Sequence, residues 1–537
     1  MSEPNKTSRT LVGIAGIVAI ATLASKIAGL VRQQAIAAAF GVGPAIDAYN
    51  YAYVIPGFLL ILLGGINGPF HSAIVSVLAK RKREEAAPLV ETITTLVGGC
   101  LLLVSIALVI FADPLIDLVA PGLTLTPAGL EIRAIAIQQF KIMAPMALLA
   151  GLIGIGFGTL NAADMYWLPS ISPLFSSMAV IVGLVVLAFQ LGTEITAPEY
   201  VFTGGIVLAI ATLLGAIFQW LVQLPALWRS GLGKLRLRFN FNRPGVRDVL
   251  KVMIPATLSS GMLQINVYTD LFFASYIPQA AAAMAYSGLL VQTPLGIISN
   301  VILVPFFPVF SRLTAPESKS ELKYRIRQAL VLTGITMLPL GAIMVTLALP
   351  IVRVVYERYA FDLQASQFVA SVLMAYAVGM FVYLGRDVLV RVFYALGDAG
   401  TPFRVSAFNI FLNALLDYLL VKSFGAPGLV LATVGVNIIS MVLLLWLLDG
   451  KLGGLPWGEW SKCFAGLIAA AAVAGLVSRG TLWGCVQVLG NDGFVVQLLQ
   501  LCLSGGLGLA AFGLLALQMR LPEVDMLVAR VRQRLGR

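Results

Sequence analysis

Residues 88–112 read PLVETITTLVGGCLLLVSIALVIFA, an apolar run with a single charged side chain. A helix that crosses the hydrocarbon core of a bilayer needs roughly 20 predominantly apolar residues, and this run meets that requirement. Similar runs recur along the whole chain. They predict an all-α polytopic membrane protein with about fourteen transmembrane helices, near 11–37, 46–79, 88–112, 133–161, 167–191, 198–228, 245–275, 280–311, 322–349, 364–397, 402–422, 425–449, 458–478 and 493–519.

The composition agrees with this fold class. Of the 537 residues, 59% are hydrophobic and only 11% are charged. A soluble domain carries about 25% charged residues, so this chain has too few to cover a water-facing surface. The cysteines are scattered and His71 is the single histidine, which argues against a disulfide framework and a multi-histidine metal site.

The net charge of +11 is concentrated in particular loops. Basic residues cluster between apolar runs, as they do in the cytoplasmic loops of membrane proteins, so no nucleic-acid partner is expected. With the N terminus inside, every strongly basic loop falls on one side of the membrane, at 80–83, 229–251, 312–327 and 520–537. The opposite loops are acidic or neutral. Both termini are therefore predicted to be cytoplasmic.

The two ends of the chain carry separate predictions. The first apolar run is too long for a signal peptide and is interrupted by Lys26 and Arg32, so it is interpreted as a first transmembrane helix. The tail at 521–537 is amphipathic and basic, and it is predicted to lie on anionic lipid.

Two short cytoplasmic turns indicate an internal repeat. One reads Leu160-Asn161-Ala162-Ala163-Asp164 and the other Tyr394-Ala395-Leu396-Gly397-Asp398, about 234 residues apart. Each leads into a helix that begins near a proline. Such repeats are typical of transporters built from two related lobes.

Ionisable residues inside apolar helices are the candidates for function. Each costs about 2.5–3.5 kcal/mol at the bilayer centre, so most must face water or a partner. Lys26 and Arg32 in the first helix would give a cationic interior that suits a phosphate or pyrophosphate group. Asp47 opens the second helix, where it could instead cap that helix after the preceding turn. Snorkelling or an internal pair is the favoured interpretation for Arg386, Asp387 and Arg391.

A second cluster has the composition of a cation site. Asn413 and Asp417 are four residues apart and therefore share one helix face. A hard cation such as Na⁺ prefers oxygen ligands, and Asp270 and Thr433 could complete the set. A hydrogen bond between helices is the competing interpretation.

No nucleophile elbow, nucleotide-binding loop or metal motif is found in the sequence. The chain is therefore not expected to be an enzyme. Without a P-loop, active transport would have to use an ion gradient or the membrane potential.

Several motifs resemble one known family. The stretch Ser25-Lys26-Ile27-Ala28-Gly29-Leu30-Val31-Arg32, followed by Phe40-Gly41-Val42-Gly43 and Asp47-Ala48-Tyr49, resembles the N-terminal signature of the MurJ/MviN lipid II flippases. Phe393-Tyr394-Ala395-Leu396-Gly397-Asp398 with Thr401-Pro402 resembles a second family motif. The likeness is collinear over almost the whole chain, and fourteen helices is the family's number.

The resemblance implies an architecture and a substrate. Residues 1–228 would form an N-terminal lobe of helices 1–6 and residues 245–449 a C-terminal lobe of helices 7–12, around a central cavity. The basic segment 229–251 would link the lobes, residues 450–519 would form a groove for a lipid tail, and 520–537 a cytoplasmic tail. The substrate would be lipid II in the bacterial inner membrane, with cell-wall synthesis proteins as possible partners.

The resemblance also assigns residues. Lys26, Arg32 and Asp47 match family positions that line the cavity and are needed for function. Asp270, Asn413, Asp417 and Thr433 resemble the family's sodium site, with the carbonyl of Leu429 as a further ligand. Two arginines that the family commonly has are missing, near Leu60 and Gly288, which would make the cavity less cationic.

Three other functions remain open from the sequence. A flippase for another polyprenyl-linked glycan would have the same architecture. A cation-coupled drug antiporter of the same superfamily would usually have twelve helices. A scaffold for cell-wall synthesis would not need the charges inside the helices.

Overall fold

The computed structural model describes residues 4–525 except 66–67, 79–80, 82, 233, 235, 243–244, 263 and 491–492. This part of the chain contains no strand. Its α-helices, in chain order α1 to α21, are Pro4–Phe40, Pro44–Gly64, Pro69–Leu78, Arg83–Ile110, Ala112–Val119, Pro127–Met143, Met146–Ala162, Trp167–Leu191, Val201–Leu221, Leu224–Ser230, Val246–Met262, Ile265–Ala274, Ala280–Arg312, Lys319–Thr346, Ala348–Tyr356, Leu363–Val378, Met380–Ala395, Gly400–Phe424, Ala426–Leu452, Trp457–Leu489 and Phe494–Gln518.

The helices confirm the predicted fold class. Among the described residues, twelve helices or closely spaced helix pairs are long and apolar enough to cross a membrane. The 37 residues of α1 and the pair α11–α12 lie at the two remaining predicted positions. Several predicted spans are two helices: α2 and α3 are interrupted near Gly65, and α16 and α17 at Gly379.

Contacts divide the chain into two compact units. Unit 1 is Met1–Ala282 with Arg358–Phe361, and unit 2 is Ala283–Glu357 with Asp362–Arg537. The pair α11–α12 therefore falls in unit 1, because α11 packs on α3 and α12 packs on α5. The sequence instead placed the boundary in the linker 229–251 and these helices in the C-terminal lobe.

In unit 1 the core lies between α2, α6, α7 and α9. Buried side chains of this core include Phe140, Met143, Ile153 and Phe157. A Cβ at Gly154 of α7 would overlap the carbonyl oxygen of Leu63, so α2 and α7 are in backbone contact there. Elsewhere in unit 1, α1 packs on α8, and α8 packs on α9.

In unit 2 the helix α14 is central and packs on α16, α17 and α20. The helices α18 and α19 form one antiparallel pair, and α20 and α21 form another. Leu467, Ala470, Ala474 and Phe512 bury the second pair against each other and against Val331 of α14.

The start of the C-terminal tail packs on unit 2. Leu521 and Val524 are buried in the core formed with α20 and α21. The Glu523 side chain is fully buried, and its Oε1 lies 2.6 Å from Nη1 of Arg327. Arg327 Nε also lies 3.3 Å from Oε1 of Glu459. The tail was predicted to lie on lipid, but its first residues contact protein, and 526–537 lie outside the described residues.

The two turns of the predicted repeat share a backbone conformation. Asp164 and Gly397 both have positive φ, at 59° and 75°. In each turn the next residue donates its amide to the carbonyl five residues earlier, at 2.9 Å. This is the hydrogen bond of a Schellman helix end. The equivalent positions are thus Asp164 and Gly397, one residue away from the match of the two aspartates.

Asp398 ties the second turn to α19. Its Oδ2 lies 2.6 Å from Nζ of Lys451 and accepts a hydrogen bond from the hydroxyl group of Thr401, while its Oδ1 accepts one from the Thr401 amide. The hydrogen bonds from Lys451 and Thr401 hold the pKa of this carboxyl group well below its ordinary value. The turn is therefore held by a carboxylate at neutral pH.

Candidate functional site

Asp47 is the best-defined charge of unit 1. It lies in the first turn of α2 and is only 2% exposed. Its Oδ2 accepts a hydrogen bond from the amide of Gln279 at 3.2 Å, and Oδ1 accepts one from the amide of Ala282 at 3.1 Å. Gln279 immediately precedes α13, so the carboxylate binds the free amides and the positive end of that helix.

This geometry corrects one interpretation of Asp47. The sequence left open that it caps its own helix. The residue at the start of α2 is Gly43, which makes no capping hydrogen bond through a side chain, and Pro44 occupies the first helical turn. The Asp47 carboxylate instead caps α13, whose first residue is 233 positions further along the chain.

Arg32 of α1 lies near two tyrosine side chains of α2. Its charge is close enough to act on the phenol groups of Tyr49 and Tyr53. These two rings stack with centroids 5.3 Å apart, and the Tyr49 hydroxyl lies 3.1 Å from Oγ1 of Thr212 in α9. The tyrosines and Thr212 were not among the site residues predicted from the sequence. Their four-residue spacing in α2 was the signal that they share a face with each other.

The guanidinium of Arg32 has an unused donor. Its Nε atom is buried and has no hydrogen-bond partner among the described residues. A buried donor without an acceptor costs about 1–3 kcal/mol, and more on a charged group. An anionic ligand that accepts from this atom would recover that free energy.

Lys26 occupies a different position on α1. Its side chain is exposed and has no carboxylate partner within the described part of the chain. Six residues separate it from Arg32, a rise of about 9 Å along the helix. The adjacent Ser25 donates a hydrogen bond to the carbonyl oxygen of Ser170 at 2.9 Å, which fixes this part of α1 against α8.

In unit 2, α17 carries a polar face. Arg386 Nε donates to the hydroxyl of Ser440 at 3.1 Å, and Nη2 donates to that of Ser406 at 3.3 Å. Both hydroxyls belong to other helices of the unit, so Arg386 is held by protein. The sequence left two alternatives for Arg386, snorkelling and an internal pair. The structure shows internal partners, which are hydroxyl groups.

The neighbours of Arg386 continue this face along the helix. Asp387 is exposed and Arg391 is half-buried, four residues apart. Asp387 forms no ion pair within the described residues. The three charged side chains make this face of α17 polar, and such a face is costly in hydrocarbon unless its charges are hydrated or paired.

The predicted cation cluster is partly assembled within unit 2. Asn413 and Asp417 are fully buried, and Nδ2 of Asn413 donates to Oδ2 of Asp417 at 2.9 Å. Cβ positions at Gly428 and Gly435 of α19 would meet Leu420 and Leu416 of α18. Because the two helices are antiparallel, these contacts place Asp417 at the level of Thr433.

Of the other three predicted ligands, Thr433 and Leu429 lie in unit 2 and Asp270 lies in unit 1. Thr433 Oγ1 lies 3.4 Å from the carbonyl oxygen of Leu429, so both oxygens lie on the same stretch of α19. Asp270 lies in α12, which belongs to unit 1, and its place in the site stays a prediction. The four residues in unit 2 offer carboxylate, amide, hydroxyl and carbonyl oxygens, a donor set that suits a hard cation.

The two positions at which the resemblance predicts arginines have apolar or small side chains. Leu60 packs against the buried core of unit 1. A Cβ at Gly288 would lie 3.8 Å from Nε2 of Gln292 and 3.9 Å from the hydroxyl of Tyr376. A polar amide and a phenol therefore face the position of the second missing arginine.

An apolar cleft lies on unit 2 between α14, the α16–α17 junction and α20. It is lined chiefly by aliphatic and small side chains, including Leu338, Val345, Phe381, Ile468 and Leu476. Helix α20 belongs to the segment 450–519 that was predicted to hold a lipid tail.

The chain is similar to proteins of known family. A family model described as "Lipid II flippase MurJ" matches residues 36–500. A probable lipid II flippase MurJ from Synechocystis sp. is 59% identical over 533 residues, which cover 99% of each chain. The lipid II flippase MurJ of Burkholderia cenocepacia is 28% identical over 482 residues, covering 87% of this chain and 89% of the relative.

Solved structures support the fold. A lipid II flippase MurJ in an inward closed conformation matches with a TM-score of 0.72 at 23% identity, covering 92% of this chain and 97% of the other. An inward-facing multidrug resistance transporter of the MATE family matches with a TM-score of 0.57 at 17% identity, covering 81% and 99%. The helices thus follow the fold that these transporters share.

Proposed function

The chain belongs to the lipid II flippase MurJ family, and we propose on this premise that it carries lipid II across the bacterial cytoplasmic membrane by alternating access. The 59% identity to the Synechocystis relative over 99% of both chains is the observation that carries this function. Lipid II is a disaccharide-pentapeptide on undecaprenyl pyrophosphate. Its transport to the outer face serves peptidoglycan synthesis.

Arg32 and Lys26 are the proposed contacts for the pyrophosphate. The unused buried Nε of Arg32 supports this role, because a guanidinium binds phosphate oxygens through several directed donors. Lys26 adds a mobile charge on the same helix. In unit 2, Arg391 on α17 is proposed as a further cationic contact, whereas Arg386 is held by Ser406 and Ser440.

Asp47 is proposed as a positioning residue. Its carboxylate holds the start of α13 against α2 and has both oxygens occupied by backbone amides. A direct contact with an anionic head group would be repulsive. The polyprenyl tail is assigned to the apolar cleft beside α20, whose aliphatic lining matches its chemistry.

A sodium ion is the proposed coupling ion. Asp417, Asn413, Thr433 and the Leu429 carbonyl would hold it, with Asp270 as a predicted fifth ligand. When bound, the ion would neutralise the buried carboxylate of Asp417. The described residues contain no cluster of three or more histidine, cysteine or acidic side chains, so a transition metal is not favoured.

Replacing Asp417 by asparagine is expected to remove sodium-dependent stabilisation of the purified protein. A ligand that binds only the folded state stabilises it by RT ln(1 + [L]/Kd), so the parent's melting temperature should rise with NaCl. KCl at equal ionic strength is the control. Equal stabilisation of the parent and Asp417→Asn by sodium would contradict the assignment.

Orientation and partners complete the proposal. Both termini are placed in the cytoplasm because the basic loops all fall on that side. No covalent chemistry is proposed, since the charged residues described above serve binding and positioning. Cell-wall synthesis proteins are proposed as protein partners.

The test is exposure of lipid II at the outer face of cells depleted of their own flippase and supplied with this chain. Restored exposure is expected from the parent and not from Arg32→Ala. Growth without restored lipid II exposure would favour a scaffold or another polyprenyl-linked glycan. Full function after removal of α20 and α21 would favour a drug antiporter.

A further inference from the structure

Residues 236–242, in the linker between α10 and α11, form a strap along α4. The amide of Lys234 donates to Oε1 of Glu91 at 3.2 Å, and the amide of Arg238 donates to Oγ1 of Thr95 at 3.0 Å. The Arg238 guanidinium also forms an ion pair with Glu91. Glu91 is 5% exposed, so the polar side of the strap is bound to a buried carboxylate of the helix.

The opposite side of the strap is apolar and uncovered. Leu237, Phe239 and Phe241 are 77%, 70% and 41% exposed. The two phenylalanine rings make an edge contact with centroids 6.2 Å apart, so they share one face. Arg238 points to α4 through its ion pair with Glu91. The three apolar side chains take no part in that contact and are exposed, so this apolar row faces away from α4.

The position along α4 indicates what covers this row. The 28 residues of α4 span about 42 Å, against a hydrocarbon core of about 30 Å. The twenty residues that end at Ile110 fill that core, which places Glu91 at its boundary. Further along, α4 exposes Leu103, Ile106 and Ile110, as a helix facing lipid does.

Charge around the strap indicates the kind of lipid. Arg229, Lys234 and Arg236 are exposed, and they form no ion pair within the described residues. Trp228 at the end of α10 is 51% exposed, and tryptophan favours the membrane interface. Exposed aromatic side chains next to unpaired cations are typical of segments that bind anionic membrane surfaces.

We propose that residues 236–241 form an interfacial anchor, in which Leu237, Phe239 and Phe241 insert into the anionic lipid of the inner leaflet while Glu91 holds the polar side. The inferred ligand is the lipid surface itself. The anchor fixes the linker between α10 and α11 at one depth in the membrane. It acts outside the substrate contacts and does not depend on the transport assignment.

Nitroxide labels test the anchor in the full-length protein. After replacement of the four native cysteines, Phe239→Cys and Asn240→Cys are labelled separately in vesicles of phosphatidylethanolamine and phosphatidylglycerol. Asn240 is the matched control because it is exposed on the neighbouring position of the same strap. The label at 239 is expected to be several-fold more accessible to oxygen, relative to a water-soluble nickel chelate, than the label at 240.

Two further measurements decide the result. Glu91→Gln should reduce the difference between positions 239 and 240, and replacing phosphatidylglycerol by phosphatidylcholine should reduce the depth of label 239. Equal nickel access at both positions would overturn the proposal. So would a label at 239 shielded from oxygen and nickel alike, which would indicate a protein contact. A depth independent of phosphatidylglycerol would overturn the assignment to anionic lipid.

Discussion

Asp47→Ala will abolish rescue of a flippase-depleted strain, and it will lower the melting temperature of the purified protein. The substitution removes the acceptor of the Gln279 and Ala282 amides at the start of α13. Loss of a helix cap costs about 0.5–2 kcal/mol. Function is expected to be lost even in protein that remains folded, because the start of α13 also loses its attachment to α2.

Asp47→Asn separates the contribution of the charge from that of the hydrogen bonds. Asparagine retains one side-chain oxygen that can accept from a helix amide, but it lacks the charge that interacts with the helix dipole. Its melting temperature should lie between those of the parent and the alanine variant. Wild-type growth of Asp47→Ala, at normal protein level in the membrane, would refute the positioning role.

Arg32→Ala is expected to remove lipid II exposure at the outer face without a large change in folding. The side chain has no hydrogen bond through its buried Nε, so its removal costs the fold little. Hydrogen bonds to charged groups contribute about 1.5–3 kcal/mol each. Loss of a two-bond contact with the pyrophosphate would weaken binding about a hundredfold or more.

Arg32→Lys and Arg312→Ala are the controls for this prediction. Lysine retains the charge but loses the planar arrangement of donors, so partial activity is expected. Arg312 is an exposed arginine at the end of α13, and its removal should leave exposure of lipid II unchanged. Arg32→Ala with the parent's activity would exclude Arg32 from head-group binding.

The sequence predicted the helices well because each one must satisfy its own backbone in lipid. The backbone hydrogen bonds lie within each span, and its side chains form a long apolar run. Such a run can be recognised without any tertiary information. The pair Asn413 and Asp417 was predicted for a similar reason, since a four-residue spacing is a property of one helix. Breaks such as Gly379 were not predicted, because apolar composition is continuous across them.

Partners from distant parts of the chain could not be predicted in this way. Asp47 was correctly placed at the start of its helix, but nothing in its neighbourhood indicates amides more than 230 residues away. The same is true of Glu91. It is the single charged residue in its apolar run, and nothing in that run indicates its partners. It holds a strap 143 residues further along, through an ion pair and a backbone hydrogen bond.

The burial of Glu523 has a consequence for biosynthesis. The ribosome makes this residue after all the described helices of unit 2. Until Glu523 leaves the exit tunnel, Arg327 has only Glu459 of these two carboxylates near it. A buried charge that lacks its partner is strongly unfavourable. Unit 2 can therefore reach its final packing only after residue 523 has been made, whereas unit 1 can mature while unit 2 is still being made.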